Sequence, residues 1–361
     1  KNSTKDLALS FKSEKNNRAI IAAHVSGFVD SPFIKKSDKA QSSEVSLFVV
    51  SDVDWIYNGF SLADARMDDR VFSRPINDNH RLFLNMVEHI LQKESKVKAI
   101  IPVHFAGKPV DMKKVLELAD KFGLFVLEDA AHSLEAISNT GKVGDTNYAT
   151  AFSFYANKNM TTCGEGGALS TNDNNLSEKI RKLSLHGISK DGWKRFKSHG
   201  KWRYDISELG YKYNMNDISA AMGIWQLKNI DKWYEVRKWI IETYNTSFEN
   251  IEGIICPRIE DGIKEAFHLY ILKINSDFWK LTRNQIIEEI NKKGIGTSVH
   301  YIPVHMHSYY IKKYGYNAND FPIANNLANS VITLPLYPHM KNAQVEYVIK
   351  ILIDIWHQYK K

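Results

Sequence analysis

From about Val97 onward, short runs of apolar and β-branched residues alternate with stretches whose apolar positions recur at helical spacing. Lys98 to Val103 predicts a strand, and Asp111 to Phe122 a helix with Met112, Val115, Leu116, Leu118 and Ala119 at helical spacing, stopped by Gly123. Leu124 to Leu127 predicts a buried strand, Ala149 to Tyr155 another, and Ala168 to Ser170 a short one. Ser177 to Leu185 predicts a helix. Asn216-Asp217 is placed to cap a long amphipathic helix with Ile218, Ala221, Met222 and Trp225 on one face, a pattern that Ile230, Trp233 and Val236 extend. After about residue 240 the pattern becomes α+β, with strands His268 to Ile274, Thr297 to Tyr301 and Val331 to Leu334 and helices Thr282 to Lys293 and Asn342 to His357. Alternation of this kind implies an α/β protein with functional residues at the C-terminal ends of its strands.

The first 94 residues follow a different pattern. They predict two apolar strands, Ala19 to Val25 and Leu47 to Val50, a polar stretch around Asp30 to Glu44 and a helix near Arg81 to Leu91, with no glycine-rich phosphate loop. The sequence therefore divides into an atypical N-terminal segment (1–94), a larger α/β unit (95–240) and a smaller C-terminal unit (241–361).

Composition narrows the function. The 361 residues are 43% hydrophobic and 25% charged, which gives a chain able to build a sizeable core and argues against disorder. The formal charge of +7 comes from basic residues scattered along the chain, so a nucleic-acid partner is not expected. Cys163 and Cys256 stand far apart, which fits two free thiols in a reducing compartment and makes the cytoplasm the expected location. No run reaches the roughly 18 apolar residues of a membrane span. The opening Lys1-Asn2-Ser3-Thr4 lacks both a signal-peptide pattern and a Met, as a fragment would.

Three segments carry the candidate chemistry: Glu128 to His132, Phe152 to Asn159 and Gly164 to Gly167. A carboxylate at a strand's C-terminal end, as Asp129 is placed, can keep a cofactor ring nitrogen protonated, which is what pyridoxal 5'-phosphate (PLP) requires. Lys158, in a turn after a further strand, can form a Schiff base with that cofactor's aldehyde. Ser153 supplies a hydroxyl for a phosphate, and the glycines allow the backbone to come close. Taken singly, a lysine reads as a solvated surface charge and a strand-end Asp as a turn former, and Asp129 with His132 offers a metal half-site as a minor alternative. No further ligand stands at metal spacing, so no metal is expected.

These segments resemble the DegT/DnrJ/StrS family of PLP sugar aminotransferases, of the aspartate-aminotransferase fold type. The resemblance runs from about residue 97 to 361 and also takes in Pro102 to Gly107, His186 to Ser189, Gly210 to Asp217, Gly296 to Tyr301 and Leu334 to Pro338. It implies a fold-type I PLP-dependent transferase, with an incomplete large α/β domain plus a smaller C-terminal α+β domain. It implies a ping-pong transfer of an amino group, usually from glutamate, to a nucleotide-linked keto sugar, as in surface polysaccharide biosynthesis. By the same carry-over Lys158 is the Schiff-base lysine and proton carrier, Asp129 pairs with the pyridine nitrogen, His132 lies by the ring and Ser153 binds the phosphate. Asn214 reaches the phosphate of a neighbouring subunit, which implies a homodimer. His186, Trp193, His300, His305 and His307 fall where the family contacts sugar and nucleotide. A lysine at 158, where the family's dehydratases carry a histidine, implies transamination.

The family's opening segment, with a Ser-Gly-Thr phosphate site at a helix N-terminus, has no counterpart here. Residues 15 to 93 instead resemble part of the extracytoplasmic auxiliary subunit of gliding-motility-type ABC transporters, through Arg18 to Gly27, Phe48 to Trp55 and Asn79 to Asn85. A rival alignment places Phe48 to Trp55 on the family's strand that precedes Lys98. The first alignment leaves the large domain's sheet short of strands, with an unpaired edge. It also keeps open a non-catalytic, envelope-associated binding protein, or a binder of nucleotide sugar without cofactor.

Overall fold

The computed structural model describes residues 97–188 and 204–361 and, before them, the backbone of the strands Ala8–Leu9, Ala22–Phe28, Glu44–Val50, Ala65–Met67 and Arg70–Phe72. Seven strands join one sheet: β1 (Ala8–Leu9), β2 (Ala22–Phe28), β3 (Glu44–Val50), β4 (Val97–Pro102), β5 (Phe125–Asp129), β6 (Ala149–Ser153) and β7 (Gly167–Ser170), in that spatial order. The centre, β3-β4-β5-β6, is parallel, and β2 and β7 run antiparallel to it at either side. Parallel strands in the middle send their C-terminal ends to one edge of the sheet, and Asp129 and Ser153 are the last residues of β5 and β6.

The expectation of a sheet short of strands before Val97 is corrected by this order. β3 pairs in parallel with β4 from Ser46↔Val97 to Val50↔Pro102, and β2 covers its far side. This position is the one the rival alignment gives to the stretch beginning at Phe48. The helix expected near Arg81 to Leu91 lies outside the described residues.

Helix α1 (Met112–Phe122) starts where the Asp111 side chain accepts from the Lys114 N–H (3.3 Å) and stops at Gly123, which takes the left-handed conformation (φ 62°). Its apolar face, Met112, Val115, Leu118 and Ala119, packs with Val97, Ile100 and Val126 of β4 and β5. Helix α2 (Asn174–Ser184) begins three residues before the expected start because Asp173 caps it, accepting from Asn175 and Leu176.

Asn216 caps the long helix α3 (Asp217–Phe248) as expected, accepting from the Ser219 N–H at 2.9 Å. The helix spends its apolar residues in two ways. From Ile230 on, Tyr234, Ile240, Ile241, Tyr244 and Phe248 are buried and join the second core. In the first turns Ile218, Met222 and Trp225 are exposed, and Ser219 and Gly223 face inward instead. The expected apolar face at this end is thus real, but it is not turned toward the chain's own core.

The second core lies around an antiparallel sheet of β8 (Ile254–Ile255), β9 (Tyr270–Ile274) and β10 (Val331–Leu334). Helix α4 (Arg283–Lys292), opened by a Thr282/Gln285 capping box, contributes Ile286 and Ile290. Helix α5 (Asn342–Tyr359) contributes Val345, Val348, Leu352 and Ile355. At about 1.5–3 kcal/mol for each fully buried large aliphatic side chain, this cluster is the main stabilising term of the C-terminal part.

One expected element is corrected. Thr297 to Tyr301 is not a strand: it makes a single bridge, Ser298↔Thr333, to β10. The next pair in that antiparallel register would join His300 to Val331, but the Val331 carbonyl already accepts from the Arg283 guanidinium at 2.7 Å. The segment therefore leaves the sheet, and His300 Nδ1 meets Thr333 Oγ1 at 2.8 Å instead.

Candidate active site

Asp129 ends β5 half-buried, with Oδ1 accepting from the Ala131 N–H at 3.0 Å, so its carboxylate is fixed while its other oxygen stays available. The backbone is held from both sides: the Asp129 carbonyl accepts from His104 N (3.0 Å) and Ala130 N donates to Ala151 O (2.9 Å). Beneath it lies a buried polar group. His104 Nδ1 accepts from the Val110 N–H (3.0 Å), so its proton is on Nε2, which donates to Glu128 at 2.9 Å; Thr150 Oγ1 donates to the other Glu128 oxygen at 3.2 Å.

Lys158 sits in the turn after β6, with its N–H on the Tyr155 carbonyl (3.0 Å) and its side chain half-buried. Burial lowers its pKa and the charge of Asp129 opposes that change, so the amine is partly desolvated and within electrostatic reach of the carboxylate. The turn returns through Gly166, whose carbonyl accepts from Phe154 N (2.8 Å). A Cβ at Gly166 would lie 2.0 Å from Thr162 Oγ1, so only glycine fits there.

His132 is buried, and burial first, then Lys158 and His300, push its pKa down to about 3. Its Nδ1 accepts from the Ala106 N–H (3.1 Å), so the ring is neutral with its proton on Nε2. It packs against Phe105 (5.9 Å between ring centres) and His268 (4.3 Å). Burial and Lys158 also lower the pKa of His300. Burial and the charge of Asp129 raise that of Tyr301. Asp129, Lys158, His132, His300, Tyr301 and His268 are thus brought together. Neither Tyr301 nor His268 stands out in the sequence as a site residue, since nothing in its local surroundings says which side of the fold it reaches.

Ser153 ends β6 half-buried, with Oγ accepting from Tyr155 N at 3.3 Å. Asn214 is exposed and its side chain accepts from Lys212. His186 is exposed in a left-handed turn (φ 58°). His305 is buried against Phe321 (4.5 Å), and His307 is exposed at the start of the helix Ser308–Tyr314. Trp193 lies outside the described residues.

These residues fit PLP: a fixed carboxylate for a ring nitrogen, a desolvated amine for an aldehyde, a neutral flat ring as a wall, and a hydroxyl at a strand end. Among the described residues no helix is long and apolar enough to cross a membrane.

The profile of the DegT/DnrJ/EryC1/StrS aminotransferase family matches residues 74–353, beginning upstream of Val97, where the resemblance in the sequence began. The chain is 49% identical over 254 residues to the uncharacterized protein MJ1066 of Methanocaldococcus jannaschii, covering 70% of this chain and 66% of that protein. It is 44% identical over 279 residues to the spore coat polysaccharide biosynthesis protein SpsC of Bacillus subtilis, covering 77% and 72% respectively. Of solved structures, the PMP form of Streptococcus pneumoniae Spr1654 superposes with a TM-score of 0.67 at 29% identity over 76% of this chain and 73% of that one, and the same protein is known in a PLP form. The chain thus spans about two thirds of the length of the first of these relatives and has the fold-type I architecture of PLP-dependent enzymes. With a profile match over most of its length and a site whose carboxylate, amine and neutral histidine stand together, the chain belongs to the DegT/DnrJ/EryC1/StrS aminotransferase family.

Proposed function

We propose that this chain is a PLP-dependent sugar aminotransferase, moving an amino group from glutamate to a nucleotide-linked keto-deoxy sugar in surface polysaccharide biosynthesis. The observation that carries the reading is that Asp129 ends one parallel strand and the half-buried Lys158 sits in the turn after the next, with the amine partly desolvated and within electrostatic reach of the carboxylate. The similarity to the spore coat polysaccharide biosynthesis protein SpsC supports the substrate class. When bound, PLP supplies an aldehyde and a protonated ring that draws electrons from the carbon bearing the nitrogen.

The protein's own residues do the rest. Asp129, fixed by Ala131 N–H, holds the proton at the ring nitrogen. His132, kept neutral by burial and by its bond from Ala106, gives the ring a flat wall without placing a second positive charge there. Lys158, its pKa lowered by desolvation, carries a proton to and from substrate carbon at Nζ. Ser153 donates to the phosphate. His300, whose pKa the Lys158 charge lowers, lies within electrostatic reach of the amine, and His186, Trp193, His305 and His307 belong to the sugar and nucleotide side.

The site is completed by a second copy of the chain, with Asn214 reaching the neighbour's phosphate. In support, the chain on either side of Asn214 carries exposed apolar residues: Ile206, Leu209, Tyr213, Ile218 and Trp225. The units 95–240 and 241–361 act as cofactor-binding and small domains, in the cytoplasm. The test is the first half of the reaction: the PLP-loaded protein, given glutamate, releases 2-oxoglutarate in an amount equal to the sites present. Release by Lys158→Ala at the wild-type rate, or none by the wild type, contradicts the reading.

A further inference from the structure

A second group of buried polar side chains lies directly behind the turn that carries Lys158. Asn159 Nδ2 donates to Glu135 Oε2 (3.1 Å) and to the Ala266 carbonyl (2.8 Å). Both partners can only accept, so the amide nitrogen must point to them and Oδ1 must point the other way, to His268 Nδ1 at 2.9 Å. An amide oxygen cannot donate, so His268 carries its proton on Nδ1 and leaves Nε2 as an acceptor. Glu135 is 5% exposed, and Arg237 of α3, 1% exposed, donates to its other oxygen. Asn159 thus ties the Lys158 turn to the segment after β5 and to the segment before β9, and through Glu135 to the long helix.

This is a poor arrangement for stability alone. Arg237 Nε and Nη1 are buried without a hydrogen-bond partner among the described residues, and an apolar pair of similar volume would avoid that cost. We propose that Asn159 is a positioning residue for Lys158, and that Glu135 and Arg237 orient its amide so that it fixes the turn and selects the Nδ1–H form of His268. The titratable and charged groups around His268 are His132, Lys158, Arg237 and His300, and burial together with these groups keeps its ring uncharged. The proposal rests on Lys158 being the reactive amine, but the first measurement of its test does not.

The first measurement uses the full chain without PLP, labelled with ¹⁵N at histidine, with the His268 signals identified by their loss in His268→Gln. The expected result is the Nδ1–H form alone in the wild type around neutral pH, and its loss in Asn159→Leu. In the PLP-loaded enzyme Asn159→Leu lowers kcat about 10²-fold while KM for the donor stays within about threefold. Asn159→Asp places a second carboxylate beside Glu135. Its kcat therefore recovers as pH falls, once a protonated carboxyl can donate to Glu135 while still accepting from His268, a response that a purely structural role would not give. A wild-type His268 protonated on Nε2, an unchanged tautomer and kcat in Asn159→Leu, or an Asn159→Asp profile parallel to the wild type would overturn the proposal. If Asn159→Leu does not fold, the wild-type tautomer and the Asn159→Asp profile still decide. Failure to bind PLP would sink the proposed function but leave the tautomer result standing.

Discussion

The two halves of helix α3 use similar residues for opposite purposes. From Ile230 to Phe248 most of the large apolar residues (Ile230, Tyr234, Ile240, Ile241, Tyr244 and Phe248) are buried in the chain's own core, with Ile240 and Tyr244 at 0% exposure. Before Ile230 the apolar residues face outward, with Ile218 at 78% and Trp225 at 60%, while Gly223 lies against Thr162 and Met160 of the turn that follows Lys158. The first half therefore touches the candidate active site on one side and presents an apolar surface on the other. An apolar face that the described residues leave uncovered is what the proposed second copy would cover.

Breaking the buried half has the largest expected effect. Ile240→Ala removes a fully buried side chain and costs about 2–5 kcal/mol of unfolding free energy, measured by urea denaturation. Gly223→Ala comes next. Its Cβ would lie 2.8 Å from Thr162 Cγ2, so the helix or the turn must shift, at a cost of about 1–3 kcal/mol and with a weaker hold on PLP, read by equilibrium dialysis. A cost confined to stability, with PLP affinity unchanged, would separate the helix from the site.

The site itself contributes through pH, independently of either half. His132 has a pKa of about 3 in the folded chain, against the ordinary histidine value of 6.5 once unfolded. As pH falls below 6.5 the unfolded chain takes up this proton and the folded chain does not. Stability therefore drops by up to about 1.4 kcal/mol per pH unit from this residue until pH approaches its folded value. His132→Gln should flatten that part of the stability curve. The smallest effect on the folded chain is expected from Ile218→Glu combined with Trp225→Glu, within about 0.5 kcal/mol in unfolding at high dilution. The same pair should convert a dimer to a monomer in sedimentation equilibrium, and a wild type that sediments as a monomer would show that the outward face has another use.

The contrast within α3 also shows what could be read beforehand. Periodicity located the helix, its Asn216 cap and its apolar faces, because these depend on residues within a few turns of one another. It could not say what covers Ile218 and Trp225, since that depends on surfaces distant in the sequence. The candidate site divides in the same way. Asp129 and Lys158 were legible as candidates because a strand end and the turn after a strand carry their chemistry in local order, whereas His132 entered only through the family resemblance. The clamp around Asn159 was not, because Glu135, Arg237, Ala266 and His268 meet only in the folded chain. One sign of it was present: Arg237 falls in the stripe Ile230, Tyr234, Ile241, Tyr244, where a charged residue must find a buried partner. The strand expected at Thr297 to Tyr301 failed for a similar reason, since a guanidinium from α4 takes the carbonyl it needed.

The central claim is that Lys158 is the residue that engages PLP. It is tested most directly by mixing the protein with PLP, reducing with borohydride and mapping the modified peptide by mass spectrometry. The account predicts one pyridoxyl group per chain, on Lys158 and absent from Lys158→Ala. A folded protein that takes up no pyridoxyl group, or carries it on surface lysines with Lys158 unmodified, would contradict it.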